Sequence, residues 1–496
     1  MKLLLCAGIL ASVMLGYNGS LESIGEIEVV NLWGTWSEMG YAHGRLLGPD
    51  LLQLYEGYFL ELAGGTGNVD MLRSIYGSYF TVPDEFRTYA AGIIAGAADT
   101  VSLYSGVYGR DLDTLDIYIT SSVPDLSAMV DMPGLGCSSV SAWGGATAAD
   151  PLLQGEPAVS RNLDYFVDSG ETILGMSRLF VFDPDQGLSW VSVSFPGFMG
   201  SLSGMNEEGV NATLNMGNHQ GTSQFSPSFV PICMAMTLGL TREDFDGSGS
   251  HDIQDLKSAT TLWNRANSYD IHITVPAGLA AGMDPAVITE VNNHAGHAFR
   301  DASHEPSLDS CSIILTNHHR VLYSPVPCYR YQMLLDSLVS EPAVTAERLW
   351  GFMEAVGYTP VPGNGGTLQT MTFLPQQRAV GLAFASSGVS AAGKDPQWIQ
   401  WNDLYPNHDP QGIQPEPLLP GFRILQNPAG PHVSITGTGI VSVKIHDLSG
   451  RRLDAEFHEV SPGIFSADIS ELPGGIYVIS VTGTGSGTRQ ALFVRL

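Results

Sequence analysis

The spacing of apolar residues changes at Cys137, and this change constrains the fold more than any other feature of the chain. Before it, SEMGYAHGRLLGPDLLQLYEGYFLEL and PDEFRTYAAGIIAGAADTVSLY repeat apolar residues at helical spacing, so most of 27–130 is expected to be helical. After it come SSVSAWGG, PAVSRNLDYF, MSRLFVFDP, LSWVSVSFPG and GVNATLNMG, which are typical of strands. Short links between them favour antiparallel pairing. The body, about 27–410, is therefore predicted to be a layered α+β domain.

Composition and the N-terminus exclude several classes of partner. The 496 residues carry a formal charge of −28. A field this negative repels phosphate backbones and anionic membranes, so nucleic-acid binding is excluded. After Lys2, the apolar run LLLCAGILASVML is too short for a membrane span and is typical of a signal peptide, which we place at 1–19. The mature protein is expected to be exported and to have no transmembrane span.

The C-terminal part has a different character. The Pro-rich stretch 407–421 predicts a linker, placed at 411–421, and short strands with Gly-rich turns follow over 422–496. The order of Asn427-Pro428, VSVKIHDLSGRRL, LPGGIYVISV and QALFVRL resembles the sorting domain of the type IX secretion system. This resemblance implies a small all-β domain that export machinery recognises, on a secreted or cell-surface protein. The alternative is a generic β-sandwich or carbohydrate-binding module.

Cys137, in the segment GLGCSS (134–139), is a candidate nucleophile. Glycine leaves the preceding carbonyl unhindered, and cleavage of the Gly136–Cys137 bond would make Cys137 a new N-terminus. Its α-amine, with a pKa of about 7.7–8.0, could then act as the base for its own thiol. The alternative is that Cys137 is a small buried apolar residue, as cysteines often are.

Four downstream side chains could complete such a site. Arg161 and Asp164, in SRNLD, could bind a thiolate, an amine and a carbonyl in one network, or could form an ordinary surface ion pair. Asn317, in TNHH, could donate an amide hydrogen bond to an oxyanion, and Arg330 follows in CYRY. Either of these two could instead be a turn or surface residue.

These segments resemble the peptidase C45 group of N-terminal-nucleophile (Ntn) hydrolases, relatives of isopenicillin-N acyltransferase, acid ceramidase and the choloylglycine hydrolases. Four segments occur in the family's order: 32–48, 136–165, 204–217 and 314–331. The resemblance implies an αββα sandwich of antiparallel sheets. It implies self-cleavage into a light chain ending at Gly136 and a heavy chain starting at Cys137, which stay associated. It also implies hydrolysis or acyl transfer at an amide or ester bond of a small substrate, through an acyl-thioester and without a catalytic cofactor.

Residue roles follow from the same resemblance. Cys137 would be the nucleophile of both self-cleavage and catalysis, Asp164 would hold its α-amine, and Arg161 would lie near the thiol. The family's oxyanion-hole amide and its later asparagine and arginine correspond to Asn215, Asn317 and Arg330. The gap of 24 residues from Cys137 to Arg161 is longer than in the family and implies an extended hairpin.

A separate motif predicts a structural calcium site. The segment DFDGSGSHDIQD (244–255) follows the EF-hand ligand pattern, with Gly249 at the sixth position and oxygen ligands that suit Ca²⁺. The predicted ligands are Asp244, Asp246, Ser248, Ser250, Asp252 and Asp255. The alternative is an acidic turn that caps the helix from Ile253. For His318 and His319 we discount a metal role, because no carboxylate or cysteine stands at ligand spacing from them.

Two other functions are weighed against the enzyme. A calcium-stabilised cell-surface binding protein with a non-catalytic Ntn-like body would not require the joint presence of the candidate site residues. A papain-like protease has no support, because no histidine occurs in that family's context. Disulfide pairing among Cys233, Cys311 and Cys328 is left open.

Overall fold

The computed structural model describes residues 17–127, 129–130, 132–133, 136–217, 228–308 and 311–405, and after these the segments 423–426, 432–436, 440–447, 451–453, 455, 457–461, 464–470, 472–473, 475–483 and 488–495. The chain divides into two compact units between Tyr405 and Pro406. Most of the predicted signal peptide, the linker and the Asn427-Pro428 element lie outside the described residues.

The first unit combines helices with many short strands. Its helices are α1 Trp36–Gln53, α2 Leu60–Leu62, α3 Thr66–Tyr79, α4 Asp84–Ala98, α5 Thr114–Ser121, α6 Val123–Leu126, α7 Ile232–Thr241, α8 Ile253–Thr261, α9 Tyr329–Ser340, α10 Ala346–Ala355 and α11 Trp401–Leu404. Its strands are β1 Gly19–Ile24, β2 Ile27–Gly34, β3 Tyr104–Ser105, β4 Arg110–Asp111, β5 Gly136–Ala142, β6 Ala158–Val167, β7 Arg178–Pro184, β8 Trp190–Ser194, β9 Ser203–Asn206, β10 Asn211–Met216, β11 Ser268–Thr274, β12 Ala286–Asn292, β13 Gly296–Arg300, β14 Ser312–Leu315, β15 Asn364–Leu374, β16 Ala379–Phe384 and β17 Gln397–Gln400. Within the described ranges, no helix is both long enough and apolar enough to cross a lipid bilayer.

Most of these strands form two sheets. A nine-stranded sheet has the order β1-β2-β7-β8-β9-β10-β11-β12-β13, and a six-stranded sheet has the order β14-β5-β6-β15-β16-β17. Neighbouring strands run antiparallel except β2 and β7, which are parallel. The antiparallel pairing predicted after Cys137 is therefore confirmed.

The two sheets pack face to face, with helices on both outer sides. Apolar side chains from both sheets, among them Val191, Met205, Met371 and Phe373, form the core between them. Helices α9 and α10 pack on the six-stranded sheet, and α1, α7 and α8 pack on the nine-stranded sheet. The predicted α+β fold with αββα layers is confirmed.

The start of the body differs from the helical expectation. Ile27–Gly34 forms β2, which pairs with β1 on one side and β7 on the other. The segment IEVVNLWG is rich in β-branched and aromatic residues, which suit a strand with neighbours on both sides. Helix begins only at Trp36, where Thr35 and Glu38 form a capping box.

Glycines allow α1 and α4 to pack unusually closely. A Cβ built on Gly44 would lie 1.9 Å from the Ile93 carbonyl oxygen, and one on Gly96 would lie 1.9 Å from the Tyr41 carbonyl oxygen. Because these contacts are with backbone atoms, no side-chain rotation could relieve them. This packing explains the glycine spacing in the first of the four family-like segments.

We expect Gly44→Ala to destabilise the protein by at least about 1–3 kcal/mol, because the added methyl group would separate the two helices. The measurement is the urea midpoint of unfolding. Gly77→Ala in α3 is the matched control, since a Cβ there meets nothing within 4 Å. It should stabilise the protein by roughly 0.5–1 kcal/mol. Equal midpoints for the two variants would contradict this account of the helix pair.

The second unit is an all-β unit, as predicted. Its strands are β18 Arg423–Gln426, β19 His432–Thr436, β20 Ile440–Asp447, β21 Arg452–Leu453, β22 His458–Ser461, β23 Ile464–Asp468, β24 Gly475–Gly483 and β25 Thr488–Arg495. They form two four-stranded antiparallel sheets, β18-β19-β23-β22 and β21-β20-β24-β25. Its own apolar core includes Val433, Ile435, Ile445 and Ile479.

Candidate active site

Cys137 lies on β5 at the interface of the two sheets, and only 1% of the residue is exposed. In the ladder between β5 and β6, Cys137 pairs with Leu163, Ser139 with Arg161, and Gly136 with Asp164. The pairing thus brings the residues of two sequence motifs side by side. Residues 143–157 connect the two strands and form the extended hairpin that the gap of 24 residues predicts.

The buried Arg161 guanidinium contacts the thiol. Its Nη2 lies 3.4 Å from Cys137 Sγ and also donates to the Leu214 carbonyl oxygen, while Nη1 donates to Ser203 Oγ. Arg161 has no exposed surface, so these contacts with the nine-stranded sheet fix its position. Burial raises the pKa of the Cys137 thiol, and the guanidinium groups of Arg161 and Arg330 oppose that rise. Arg161 therefore favours the thiolate.

Asp164 approaches Cys137 from a different side and lies beside Gly136. Residues three apart on a strand point to opposite faces, which explains why Arg161 reaches the thiol and Asp164 reaches the preceding residue. A Cβ built on Gly136 would lie 3.1 Å from Asp164 Cβ and 3.4 Å from Asp164 Oδ2. The carboxyl group therefore lies against the peptide bond that the sequence marks as the candidate cleavage site.

Hydrogen bonds and charge hold this carboxyl group in place. Thr367 Oγ1 donates to Asp164 Oδ1 at 2.6 Å, and Arg330 Nη1 lies 3.4 Å from Oδ2. Burial raises the pKa of Asp164, whereas the Thr367 hydrogen bond and the charges of Arg330 and Arg161 act to lower it. The net direction is upward, so Asp164 holds a proton more readily than an exposed aspartate does.

Asn317 and Arg330 bind the backbone of Cys137. The Cys137 N–H donates to Asn317 Oδ1 at 2.9 Å, and Arg330 Nη1 donates to the Cys137 carbonyl oxygen at 2.5 Å. Arg330 Nη2 donates to the same Asn317 Oδ1 at 2.7 Å, and Asn317 Nδ2 donates to the Met216 carbonyl oxygen at 3.0 Å. Two donors on Oδ1 fix the orientation of the amide. Among the described residues, Met216 is the acceptor for Asn317 Nδ2, which leaves its second N–H for a further acceptor.

Asn215 is linked to the site through its neighbour. It is fully buried on β10, and its Nδ2 donates to the Thr316 carbonyl oxygen at 2.9 Å. This contact fixes the residue before Asn317. Its role as an oxyanion donor stays a prediction.

Three supporting side chains were not predicted from the sequence. Ser203 and Thr367 hold Arg161 and Asp164, and Ser138 Oγ accepts a hydrogen bond from Arg330 Nη1 at 2.7 Å. Ser203 on β9 and Thr367 on β15 belong to none of the motifs singled out in the sequence, and only the sheet geometry reveals them. Ser138 could have been suspected because it follows the candidate nucleophile directly.

An apolar cavity of about 80 Å³ lies near Cys137, which is not itself one of the lining residues. Leu163, the cross-strand partner of Cys137, is part of its wall. Leucine, isoleucine, tyrosine and phenylalanine side chains form most of the remainder, including Leu54, Tyr58, Ile117 and Phe195. Such a cavity suits a hydrocarbon or aromatic group.

The acidic loop brings three of its six predicted calcium ligands together. Ligand atoms of Asp244, Asp246 and Asp255 lie within 4.8 Å of one another. Gly249 has a φ of +92°, which agrees with the turn expected at the sixth position. Asp252 caps α8 by accepting from Gln254 N at 2.7 Å, so the helix-capping alternative describes part of the same loop.

The other two predicted ligands contact each other. Ser248 Oγ donates to the Ser250 carbonyl oxygen at 3.1 Å. His251 replaces the usual apolar residue of the motif. Its ring is buried, and hydrogen bonds to Glu208 and to the Gly239 carbonyl oxygen satisfy its two nitrogens. Occupation of the loop by Ca²⁺ stays a prediction.

Sequence spacing argues against a metal role for His319, but the structure places two carboxylates beside it. Asp270 and Glu290, which are far from His319 in sequence, lie beside it, and the three side chains offer ligand atoms within 4.8 Å of one another. Strand pairing creates this group, so no sequence spacing could reveal it. The cysteines that the structure describes, Cys137, Cys233, Cys311 and Cys328, are free thiols.

No family model matches this chain. A relative among curated proteins is an uncharacterized protein of Archaeoglobus fulgidus, 27% identical over 216 residues, which cover 40% of this chain and 34% of the relative. The chain therefore spans about a third of the length of the curated relative it matches.

Several solved structures are similar at low identity. An orthologue of N-acylethanolamine-hydrolyzing acid amidase from Caenorhabditis elegans is 13% identical, with 53% of this chain and 100% of that chain covered and a TM-score of 0.35. Penicillin V acylase from Agrobacterium tumefaciens is 14% identical, with 54% and 88% covered and a TM-score of 0.32. A variant of conjugated bile acid hydrolase from Clostridium perfringens is 10% identical, with 53% and 92% covered and a TM-score of 0.29. The assignment of function rests on the geometry around Cys137.

We expect Arg161→Met to raise the pKa of the Cys137 thiol by about 1–3, because a positive charge 3.4 Å from the sulfur is lost. Thiolate absorbance at 240 nm, taken as the difference from Cys137→Ser in each background and titrated against pH, measures this pKa. Arg178→Met is the control, since Arg178 is also buried but pairs with Glu28 and Asp50. An unchanged titration midpoint in Arg161→Met would show that Arg161 does not stabilise the thiolate.

Proposed function

We propose that this chain is an exported, self-cleaving cysteine hydrolase or acyltransferase of the peptidase C45 type, acting on an amide or ester bond through an acyl-thioester on Cys137. One observation carries the proposal. The Cys137 thiol lies beside a buried guanidinium, while the backbone of the same residue is held by Asn317 and Arg330 and follows a glycine that lies against a buried carboxyl group. A cysteine that served only as core packing would need none of these contacts.

Self-cleavage would use the bond between Gly136 and Cys137. Cys137 Sγ attacks the Gly136 carbonyl carbon, the carbon–nitrogen bond breaks, and the thiol proton passes to the released nitrogen. Water then hydrolyses the Gly136–Cys137 thioester, which restores the thiol and leaves a carboxylate on Gly136. The Asp164 carboxyl group lies beside this bond, and its raised pKa suits it to hold and return a proton.

Catalysis would use the amine that cleavage releases. The α-amine takes the proton of its own thiol, and the thiolate attacks the substrate carbonyl. Asn317 Oδ1, which accepts the Cys137 N–H in the intact chain, would keep the amine in place. The second N–H of Asn317 Nδ2 would bind the oxyanion, a contribution of roughly 2.7–4 kcal/mol per donor. The leaving amine or alcohol takes the proton, and water or an acceptor amine later receives the acyl group.

The apolar cavity supports a substrate with an apolar acyl group. Leu163 lines the cavity and is the cross-strand partner of Cys137, which supports an acyl chain in the cavity with its carbonyl group near the sulfur. Asn317 and Arg330 bind the backbone of Cys137, so polar groups are available there for the leaving group. We infer an N-acyl amide or an ester as the substrate class.

We expect wild-type protein to separate into two chains in denaturing mass spectrometry, with the break between Gly136 and Cys137, and Cys137→Ala to remain one chain. Wild type should hydrolyse a panel of N-acyl amides that differ in acyl length, and Cys137→Ala should lose this activity by at least a thousandfold. Cys311→Ala is the control, because Cys311 is also a free thiol. Its backbone pairs with Trp143 at the start of the β5–β6 connection, away from the residues that contact Cys137.

Cleavage that survives in Cys137→Ala would overturn the self-processing mechanism. Wild type that stays intact and hydrolyses no substrate would favour the calcium-stabilised binding protein. Mass spectra of protein from a secreting host test the predicted signal peptide. If the signal peptide is removed on export, the mature N-terminus should lie near residue 19. The two small sheets and motif order of 422–496 support recognition by type IX export machinery.

Structural calcium in the loop 244–255 is part of the proposal. The grouping of Asp244, Asp246 and Asp255 supports it. We expect calcium at 100 times its dissociation constant to stabilise the wild type by about 2.7 kcal/mol, seen as a higher melting temperature. Asp246→Asn should lose most of this response, whereas Asp336→Asn, at an aspartate on α9, should keep it. A wild type whose melting temperature ignores both calcium and chelator would show that the loop is only a helix cap.

A further inference from the structure

A second group of charged side chains lies between the sheets, behind the loop that carries Asn317. Asp270 on β11 and Glu290 on β12 are cross-strand partners, and His319 belongs to the loop after β14. All three residues have no exposed surface. His319 Nδ1 lies 3.6 Å from Asp270 Oδ1 and 3.6 Å from Glu290 Oε2. The group is thus compact and sealed from solvent.

Asp270 is the residue that most requires a cation. Neither of its carboxylate oxygens has a hydrogen-bond partner among the residues that the structure describes. Buried carboxylates are strongly unfavourable unless they are paired or coordinate a metal. No backbone N–H reaches Asp270 as it does Glu290, so the folded protein gains if a positive charge occupies this position.

The net charge of the groups around Asp270 would be balanced by a divalent cation. Glu290 accepts from the backbone N–H groups of residues 320, 321 and 322 and from Arg300 Nε at 3.0 Å. Arg300 also pairs with the buried Glu305. Three carboxylates therefore face one guanidinium, which leaves two negative charges when His319 is neutral. A divalent ion would balance them.

The geometry and ligand types indicate the kind of ion. Ser268 Oγ lies 2.6 Å from His319 Nε2 and so directs Nδ1 toward the carboxylates, as hydrogen bonds to the far nitrogen of metal-bound histidines do. Two ligand atoms on one tetrahedral zinc lie about 3.4 Å apart, close to the distances between His319 and the carboxylates. Asn215 is the other cross-strand partner of Asp270, and its buried Oδ1 could be a further ligand. One imidazole with carboxylates suits zinc and similar metals better than calcium.

We propose that Asp270, Glu290 and His319 bind one divalent transition-metal ion, with zinc as the best match. The ion would join the nine-stranded sheet to the loop 316–322 and would hold Asn317 in place. It is a structural ion, and its binding does not depend on whether Cys137 is catalytic.

The test is metal analysis of the full chain. Wild type, stripped with a chelator and dialysed against Zn²⁺ and an excess of Ca²⁺, should retain about one zinc per chain by plasma mass spectrometry, and Asp270→Asn should retain less than a tenth of that. Asp246→Asn is the matched control, since it alters the calcium loop and should keep the zinc. Zinc should raise the melting temperature of wild type and of Asp246→Asn but not that of Asp270→Asn.

Two results would overturn the proposal. One is wild type that retains no zinc at stoichiometric level after loading. The other is zinc retained equally by Asp270→Asn. A wild type without bound metal, together with an Asp270→Asn variant that melts at a higher temperature, would identify the group as a buried His319 imidazolium between two carboxylates. Should Asp270→Asn fail to fold, the wild-type stoichiometry and its Co²⁺ absorption spectrum decide the question alone.

Discussion

The burial of the Arg161 guanidinium between the two sheets is the constraint on which the site depends. A charge without exposed surface is stable only if its donors are satisfied. Arg161 meets most of this demand by reaching from the six-stranded sheet to Ser203 and to the Leu214 carbonyl oxygen on the nine-stranded sheet, while its Nε has no hydrogen-bond partner among the described residues. The Nη2 that donates to the Leu214 carbonyl oxygen also lies 3.4 Å from the Cys137 sulfur. The relative position of the sheets and the environment of the thiol therefore have one physical cause.

Hydrogen bonds from both sheets hold the loop 316–322 in place. Asn215 binds the carbonyl oxygen of Thr316, and Asn317 binds Met216 and Cys137, so the loop is tied to β10 and β5 together. Glu290 then binds three consecutive N–H groups at the other end of the loop. A loop held at so many points can keep an amide group in one orientation, which a preorganised oxyanion site requires.

The sequence was most informative where the pattern was local. Helical spacing located α1 and α4, strand patterns located β5 to β8, and the motif around Arg161 and Asp164 identified side chains that do meet at Cys137. It failed at Ile27–Gly34, where the demands of neighbouring strands decide the structure. It could not reveal Ser203, Thr367 or the pairing of Asp270 with Glu290, because these arise from the register of strands that are distant in sequence.

Both the pairing of β5 with β6 and the proposed cleavage chemistry favour a glycine at position 136. The glycine before Cys137 was first interpreted as leaving its carbonyl group unhindered. The structure gives a second reason, since a Cβ at this position would lie only 3.1 Å from Asp164 Cβ, closer than most Cβ contacts. Gly136 and Asp164 are paired in the same ladder that places Cys137 opposite Leu163, so a shift that relieved this contact would act on the pairing beside the nucleophile. A residue with a side chain at position 136 would therefore press on Asp164, even where the carbonyl group itself remained accessible.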